Sequence, residues 1–454
     1  MRTITDMTRG NPVKLMLSFA VPVILTNLGQ QLYQIADAAI VGQGVGVDAL
    51  AAVGCTDWIY WMILWSMQVM TAGFATFVSR FFGKRDYRQM NRAIVISAAL
   101  SGGIALVLTV VGLTTARPLL RLLGTPENIL RDAVVYLSTM IGGTLIMTAY
   151  NLAAAILRAF GDGRSPLIAM ILAAVLNILL DLFCVFILHW GVFGAAIASV
   201  TAQLAAFLFC LFRIRRIEYV SLDRQAFNAD WALVKEILFF GLPLALQYII
   251  INLGGVIVQS TINAQGSAFI AGYTAINKLY GLLECTALSL GSAFTTFASQ
   301  NFGAGNFRRM RKGVNTEILL TLAAAAGMMV IVLPLNRVLP QVFLDVSDAD
   351  AGIALDVAGQ YLIRMGISMP ILYLLYVYRS NLQAIGNASW SLISGIAEAL
   401  SRVLMAKLLF LWIGAEVLFW VEPVAWVFAC LFVLVPYYVL QKTTIPHTDA
   451  RPEG

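Results

Sequence analysis

Residues 77–92 read FVSRFFGKRDYRQMNR, and residues 297–312 read FASQNFGAGNFRRMRK. Phe82-Gly83 in the first stretch returns as Phe302-Gly303 in the second. Arg88, Met90 and Arg92 return as Arg308, Met310 and Lys312, each about 220 residues later. Working outward, Pro22 matches Pro243 and Tyr136-Leu137 matches Tyr361-Leu362. LRAFG at Leu157–Gly161 matches LQAIG at Leu382–Gly386. Short motifs recurring in the same order identify two tandem copies of one unit.

The units are built for an apolar medium. Of the 454 residues, 60% are hydrophobic and 12% are charged, against roughly 25% charged in soluble domains. Apolar stretches long enough to cross a hydrocarbon layer of ~30 Å recur along the whole length. By apolar length the spans fall near 14–41, 58–82, 93–115, 133–157, 167–188 and 191–212. The second set falls near 235–260, 269–300, 314–334, 358–382, 391–413 and 417–440. The expected fold is all-α, a polytopic membrane protein of about twelve helices in two six-helix bundles. The first bundle covers 1–212, a linker 213–230, the second bundle 231–440 and a tail 441–454. Six is even, so both copies enter the membrane in the same orientation, related by an axis along the membrane normal. Transporters of this build place substrate between the halves.

The charge of +6 follows membrane topology rather than nucleic-acid binding. One set of loops holds Lys84, Arg85, Arg88 and Arg92; Arg158 and Arg164; Arg213, Arg215, Arg216 and Arg224; and Arg308, Arg309, Arg311 and Lys312. Arg2, Arg9, Lys442 and Arg451 near the termini fall on the same side. The alternate loops hold only Arg117, Arg121, Arg131 and Arg337. The basic side is expected to be cytoplasmic, with both termini inside. The polar leader Met1–Pro12 runs straight into a spanning-length segment, so no cleavable signal is expected. The five cysteines lie singly, without paired or metal-ligand spacing. Neither a GxxxxGK[ST] loop nor an HExxH motif occurs, which argues against ATP hydrolysis and intramembrane proteolysis. The GQGVG run at Gly42–Gly46 is a turn after the first span, and the two histidines are His189 and His447.

An acid at the bilayer centre costs roughly 2.5–3.5 kcal/mol on insertion scales, so such residues face a cavity or a partner. In the first copy, Asp37 lies near the outer end of the first span and Asp181 two-thirds along the fifth. At ~1.5 Å per residue they sit at similar depth. Asn177, four residues before Asp181, shares its helical face, and Thr201 on the sixth span falls at a comparable level. Gln30, Gln34 and Asn151 are nearby candidates to line a cavity. Such oxygens can coordinate Na⁺, or a carboxylate among them can carry a proton. In the second copy, Glu398 and Arg402 are four apart and are expected to neutralise each other. Lys278 and Glu284, six apart on the eighth span, have poor helical geometry for a pair.

With these motifs the chain resembles the multidrug and toxic compound extrusion (MATE) transporters of the multidrug/oligosaccharidyl-lipid/polysaccharide flippase superfamily. The resemblance covers nearly the whole chain. It rests on Val21-Pro22 with Asp37 fifteen residues on, FVSRFFGKRD at Phe77–Asp86 and LLGTPENI at Leu122–Ile129, and on LRAFGDGRSP at Leu157–Pro166 and SQNFGAGN at Ser299–Asn306. It implies a V-shaped pair of six-helix bundles and alternating access, with antiport of H⁺ or Na⁺ against amphipathic, often cationic organic compounds. In the DinF-like branch the cation-binding residues lie in the first bundle, and the matching positions here are Asp37, Asn177, Asp181 and Thr201. The NorM-like branch places acids in the seventh and tenth spans, where this sequence has none beyond Glu236 at the very start of the seventh, so it looks DinF-like. The resemblance implies a non-enzymatic protein of a prokaryotic plasma membrane, acting as a monomer among lipids, with no cofactor beyond the coupling ion. A lipid or lipid-linked oligosaccharide flippase is the alternative. It would need a cationic lumen, for which Lys278, Arg364, Arg379, Arg402 and Lys407 are the available residues.

Overall fold

The computed structural model describes residues 4–221, 224–228, 230–344 and 351–443. Arg2, His447, Arg451 and most of the expected tail lie outside them. Among the described residues there is no strand, and helices account for nearly all of the chain. In the first copy they are α1 (Pro12–Gly44), α2 (Val47–Lys84), α3 (Tyr87–Leu122), α4 (Glu127–Gly142), α5 (Thr144–Ala159), α6 (Arg164–Asp181) and α7 (Gly191–Arg215). The second copy holds α8 (Trp231–Ile262), α9 (Ser267–Gly303), α10 (Phe307–Val332), α11 (Ala351–Ala384), α12 (Ala388–Leu404), α13 (Phe410–Ile413) and α14 (Val421–Thr443).

Nine helical stretches among the described residues are long and apolar enough to cross a membrane alone. The twelve expected spans follow from three further readings. The pair α4–α5 makes one span, bent by 44°. The stretch Ala388–Thr443 is two spans, reversed at Gly414 (φ 79°) so that α14 packs back on α12. The last is α9, whose Lys278 and Glu284 lower its hydropathy. The fourth span therefore differs from the continuous helix expected over 133–157. Its break falls at Gly142-Gly143, where Val200 of α7 presses close: a Cβ on Gly143 would lie 2.4 Å from Val200. α2 and α3 extend well past the apolar limits 58–82 and 93–115, because helical backbone continues after the membrane-length segment ends.

The motifs that reveal the duplication also build its corners. α2 ends with Arg85 at φ 61°, where its N–H bonds to Phe82 O at 3.0 Å and the Asp86 N–H to Phe81 O at 3.0 Å. α9 ends alike, with Gly305 at φ 70°, its N–H bonded to Phe302 O at 3.1 Å and the Asn306 N–H to Asn301 O at 2.9 Å. These left-handed caps satisfy carbonyls that the helix leaves open. Asp86 then starts α3 by accepting from the Gln89 N–H at 3.1 Å. Gly161 (φ 75°) and Gly386 (φ 94°) occupy matching places in the LRAFG and LQAIG turns. Both copies also carry a π-helical turn at corresponding positions, Leu182–Ile187 after α6 and Met405–Leu409 after α12.

Two compact units emerge. One comprises the leader as far as Met7 with Ser18–Ala245; the other comprises Thr8–Leu17 and the chain from Leu246 onward. The division thus falls inside α8, just beyond Pro243, and the connection 213–230 belongs to the first unit. Asn91 and Arg92 of α3 anchor that connection by donating to Tyr219 O and Gln225 O. In the first unit α5 packs closely on α2, α3 and α7, and in the second α11 packs closely on α9, α10 and α14. Gly161→Ala is expected to destabilise the protein measurably. Its Cβ would meet Thr5 O at 2.4 Å in a left-handed backbone, a strain of at least about 1 kcal/mol. Gly54→Ala, with open space around it, is expected to leave the thermal midpoint in detergent unchanged.

Candidate functional site

Asp37 of α1 and Asp181 of α6 meet in the first unit. Their carboxyl groups lie close enough for a proton on one to be shared with the other. As two carboxylates they are acceptors only. Accordingly Asp37 Oδ1 and both oxygens of Asp181 are buried without a hydrogen-bond donor, and Asp181 is fully buried at 0% exposure. No lysine or arginine among the described residues forms an ion pair with either.

The close approach depends on small residues along α1. A Cβ on Gly29 would lie 2.4 Å from Met170 of α6, and one on Gly44 would lie 2.5 Å from Val185 in the π turn. That π turn begins directly after Asp181 and shifts the register of the side chains that follow. Pro22 withholds one backbone donor from α1, and Thr26 Oγ1 bonds to the Pro22 carbonyl at 2.8 Å.

Asn177 is buried on the same face as Asp181, and its Nδ2 donates to Ser199 Oγ at 3.2 Å. Its Oδ1 has no partner, which adds a third open oxygen-bearing side chain to the group. Thr201 does not join it. Its hydroxyl donates back to Ile197 O of its own helix at 2.7 Å, and the residue is exposed. The reason is helical phase: Ser199 and Gln203, four apart, share the inward face of α7, and Thr201 between them lies on the far side. Gln203 reaches the group through Tyr33, whose hydroxyl accepts from Gln203 Nε2 at 3.5 Å. Gln34 lies within reach of that same hydroxyl. Gln30 and Asn151 are half-buried, and neither is hydrogen-bonded to the two acids. Tyr60 and Tyr136, both buried, complete an aromatic wall near Asp37, with Tyr60 OH donating to Met147 Sδ at 3.0 Å.

The second unit treats its charges differently. Arg402 Nη2 bonds to Glu398 Oε1 at 2.9 Å and to Glu422 Oε2 at 2.6 Å. Arg379 Nη2 bonds to Glu398 Oε2 at 2.7 Å and to Ser394 Oγ at 3.0 Å. The expected Glu398/Arg402 pair is thus half of a four-residue network with two positive and two negative charges. Spacing along one helix could not reveal Arg379 and Glu422, which come from α11 and α14. Glu284 does not meet Lys278, which is exposed; it accepts instead from Tyr376 OH at 2.8 Å. No group of three or more His, Cys, Asp or Glu among the described residues is arranged to hold a metal.

The model of the MatE family matches residues 22–183 and 243–408. The chain belongs to the MatE family. It is a multi-pass membrane transporter, not an enzyme. A relative from Bacillus subtilis (strain 168), "Probable multidrug resistance protein YpnP", is 31% identical over 307 residues, covering 67% of this chain and 68% of its own. The "Multidrug export protein MepA" of Staphylococcus saprophyticus is 23% identical and aligned over 97% of each chain. Among solved structures, one described as the outward-facing conformation of a multidrug resistance MATE family transporter of the MOP superfamily is 22% identical. It covers 98% of both chains with a TM-score of 0.88, which shows the fold.

The positions of Ser199 and Thr201 give a direct test. Ser199→Ala strands the Asn177 amide at a cost of roughly 1 kcal/mol and is expected to slow dye efflux from cells. Thr201→Val, which removes only a bond within its own helix, is expected to leave efflux near the wild-type rate.

Proposed function

We propose that this MatE protein is a secondary active efflux transporter for amphipathic, often cationic organic compounds, driven by inward exchange of H⁺ or Na⁺ at Asp37 and Asp181. The observation that carries this reading is the meeting of two carboxyl groups in the first unit with no basic partner and several unpartnered oxygens around them. Such a pair holds its charge poorly when dry and readily takes up a cation. The printed names of the Bacillus and Staphylococcus relatives, as multidrug resistance and export proteins, support the substrate class.

Moving one charge through the membrane potential supplies about 2.3 kcal/mol per 100 mV. Occupancy of the acid pair would change how α1 packs on α6, and so bias the protein between inward-open and outward-open states. Neutralising the pair removes the repulsion between the two carboxylates and lets α1 close on α6; emptying it restores the repulsion. The protein would sit in a prokaryotic plasma membrane with both termini cytoplasmic, working as a monomer.

The flippase alternative loses ground in the second unit. Arg364 is paired with Glu416, Arg379 with Glu398, and Arg402 with both Glu398 and Glu422. Lys407 donates to Ser260 on an exposed surface, and Lys278 is exposed. Three of the five cations that could line a pyrophosphate-binding lumen are therefore already neutralised.

The test is a drug-susceptibility and dye-efflux profile of a pump-deficient bacterial strain expressing the protein. Wild type is expected to raise resistance to several unrelated lipophilic cations. Asp37→Asn and Asp181→Asn are each expected to abolish the gain at equal protein abundance. Unchanged susceptibility with wild type, or full resistance with both variants, would contradict the proposal.

A further inference from the structure

The second unit contains one buried acid that its charge network does not absorb. Glu317 of α10 is 0% exposed and forms no ion pair among the described residues. One carboxylate oxygen accepts from Asn381 Nδ2 of α11, while the other, Oε1, has no partner. The Asn381 side chain also donates to Val377 O at 2.9 Å, which fixes its orientation and leaves its Oδ1 open. Thr321, four residues after Glu317 and on the same face, is 1% exposed with a free Oγ1. Tyr437 of α14 is 0% exposed with a free hydroxyl and lies within electrostatic reach of Glu317.

Four oxygens on α10, α11 and α14, with α11 packed against both of the others, are thus buried and unsatisfied in one unit. A buried polar atom without a partner costs about 1–3 kcal/mol, and more when charged. A hard cation holds oxygen ligands at about 2.3–2.6 Å, which keeps those ligands farther from one another than hydrogen-bonding partners would be. Buried acceptor oxygens that receive no donor are the kind of ligand such an ion takes. Oε1 receives no donor from the protein, so its occupant, a metal cation or a proton, is decided by the experiment below. One carboxylate balances one positive charge; a divalent ion would leave excess charge in a dry site.

The repeat shows that the cluster is particular to the second copy. In the register that pairs Arg88 with Arg308, Glu317 and Thr321 correspond to Ser97 and Ser101. In the register that pairs Leu157 with Leu382, Asn381 corresponds to Ile156. Ser97 and Ser101 are equally buried. The scaffold position is thus retained, while the acid appears together with the amide that holds it.

We propose that Glu317, Thr321, Asn381 and Tyr437 form a binding site for a dehydrated monovalent cation, Na⁺, within the second unit and distinct from the Asp37–Asp181 pair. The site is independent of the function proposed for that pair, so the experiment removes the pair first. Full-length protein carrying Asp37→Asn and Asp181→Asn is purified, and radioactive sodium binding and thermal midpoint are measured in NaCl against choline chloride. One Na⁺ per chain is expected, with a midpoint that climbs with the logarithm of Na⁺ concentration. Adding Glu317→Gln is expected to abolish both effects. Thr321→Val and Tyr437→Phe keep the carboxylate and are expected to weaken Na⁺ affinity several-fold, which covers the case in which Glu317→Gln fails to fold. The proposal is overturned if the starting protein binds no Na⁺, or if the substitutions leave binding unchanged. Stabilisation by acid alone, lost with Glu317→Gln and indifferent to Na⁺, would also overturn it by making the occupant a proton.

Discussion

A carboxylate taken out of water must regain, from the protein or from a captured ion, what hydration supplied. At the depth of these helices that demand amounts to several kcal/mol per charge, and little else in the apolar interior can meet it. Glu398 and Glu422 meet it with guanidinium groups, and Arg379 and Arg402 in turn spend their donors on Ser394 and the Ile251 carbonyl. That arrangement is closed: each charge is answered, and the network ties α11, α12 and α14 together. Asp37 and Asp181 face each other with no base at hand. On the proposed reading their demand is met by a captured cation, whereas the network of the second unit is satisfied by its own charges.

The duplicated scaffold explains how such a division arises without a change of fold. The left-handed caps at Arg85 and Gly305, the turns at Gly161 and Gly386, and the π turns after α6 and α12 recur at matching places. The chemistry does not recur. Asn177 is answered by Arg402 and Asp181 by Ala406, on corresponding helices with the same π turn behind them.

Much of this was legible in the sequence because the signals are local or periodic. Spans are read from apolar length, the duplication from ordered motifs, and the pairing of Glu398 with Arg402 from their spacing along one helix. The similar depth of Asp37 and Asp181 was legible from hydropathy; that they face each other is visible only in the structure. Depth places Thr201 at the level of the acids but says nothing of which way a side chain faces, and the structure turns Ser199 inward instead. Arg379 and Glu422 escaped because their partners lie on other helices. The break in the fourth span escaped because Gly142-Gly143 is compatible with a straight helix until Val200 presses on it. Glu317 was lost among the basic residues before it, although the structure buries it completely.

The central claim is that the free acid pair of the first unit is where ion and substrate movements are linked. The most direct test is efflux of a fluorescent lipophilic cation from proteoliposomes in which the pH and Na⁺ gradients are set separately. In wild type, efflux is expected to follow one of the two gradients and stop when that gradient is collapsed. With Asp37→Asn or Asp181→Asn, substrate binding is expected to persist while dependence on the gradient disappears. Gradient-driven efflux in both variants at the wild-type rate would contradict the account.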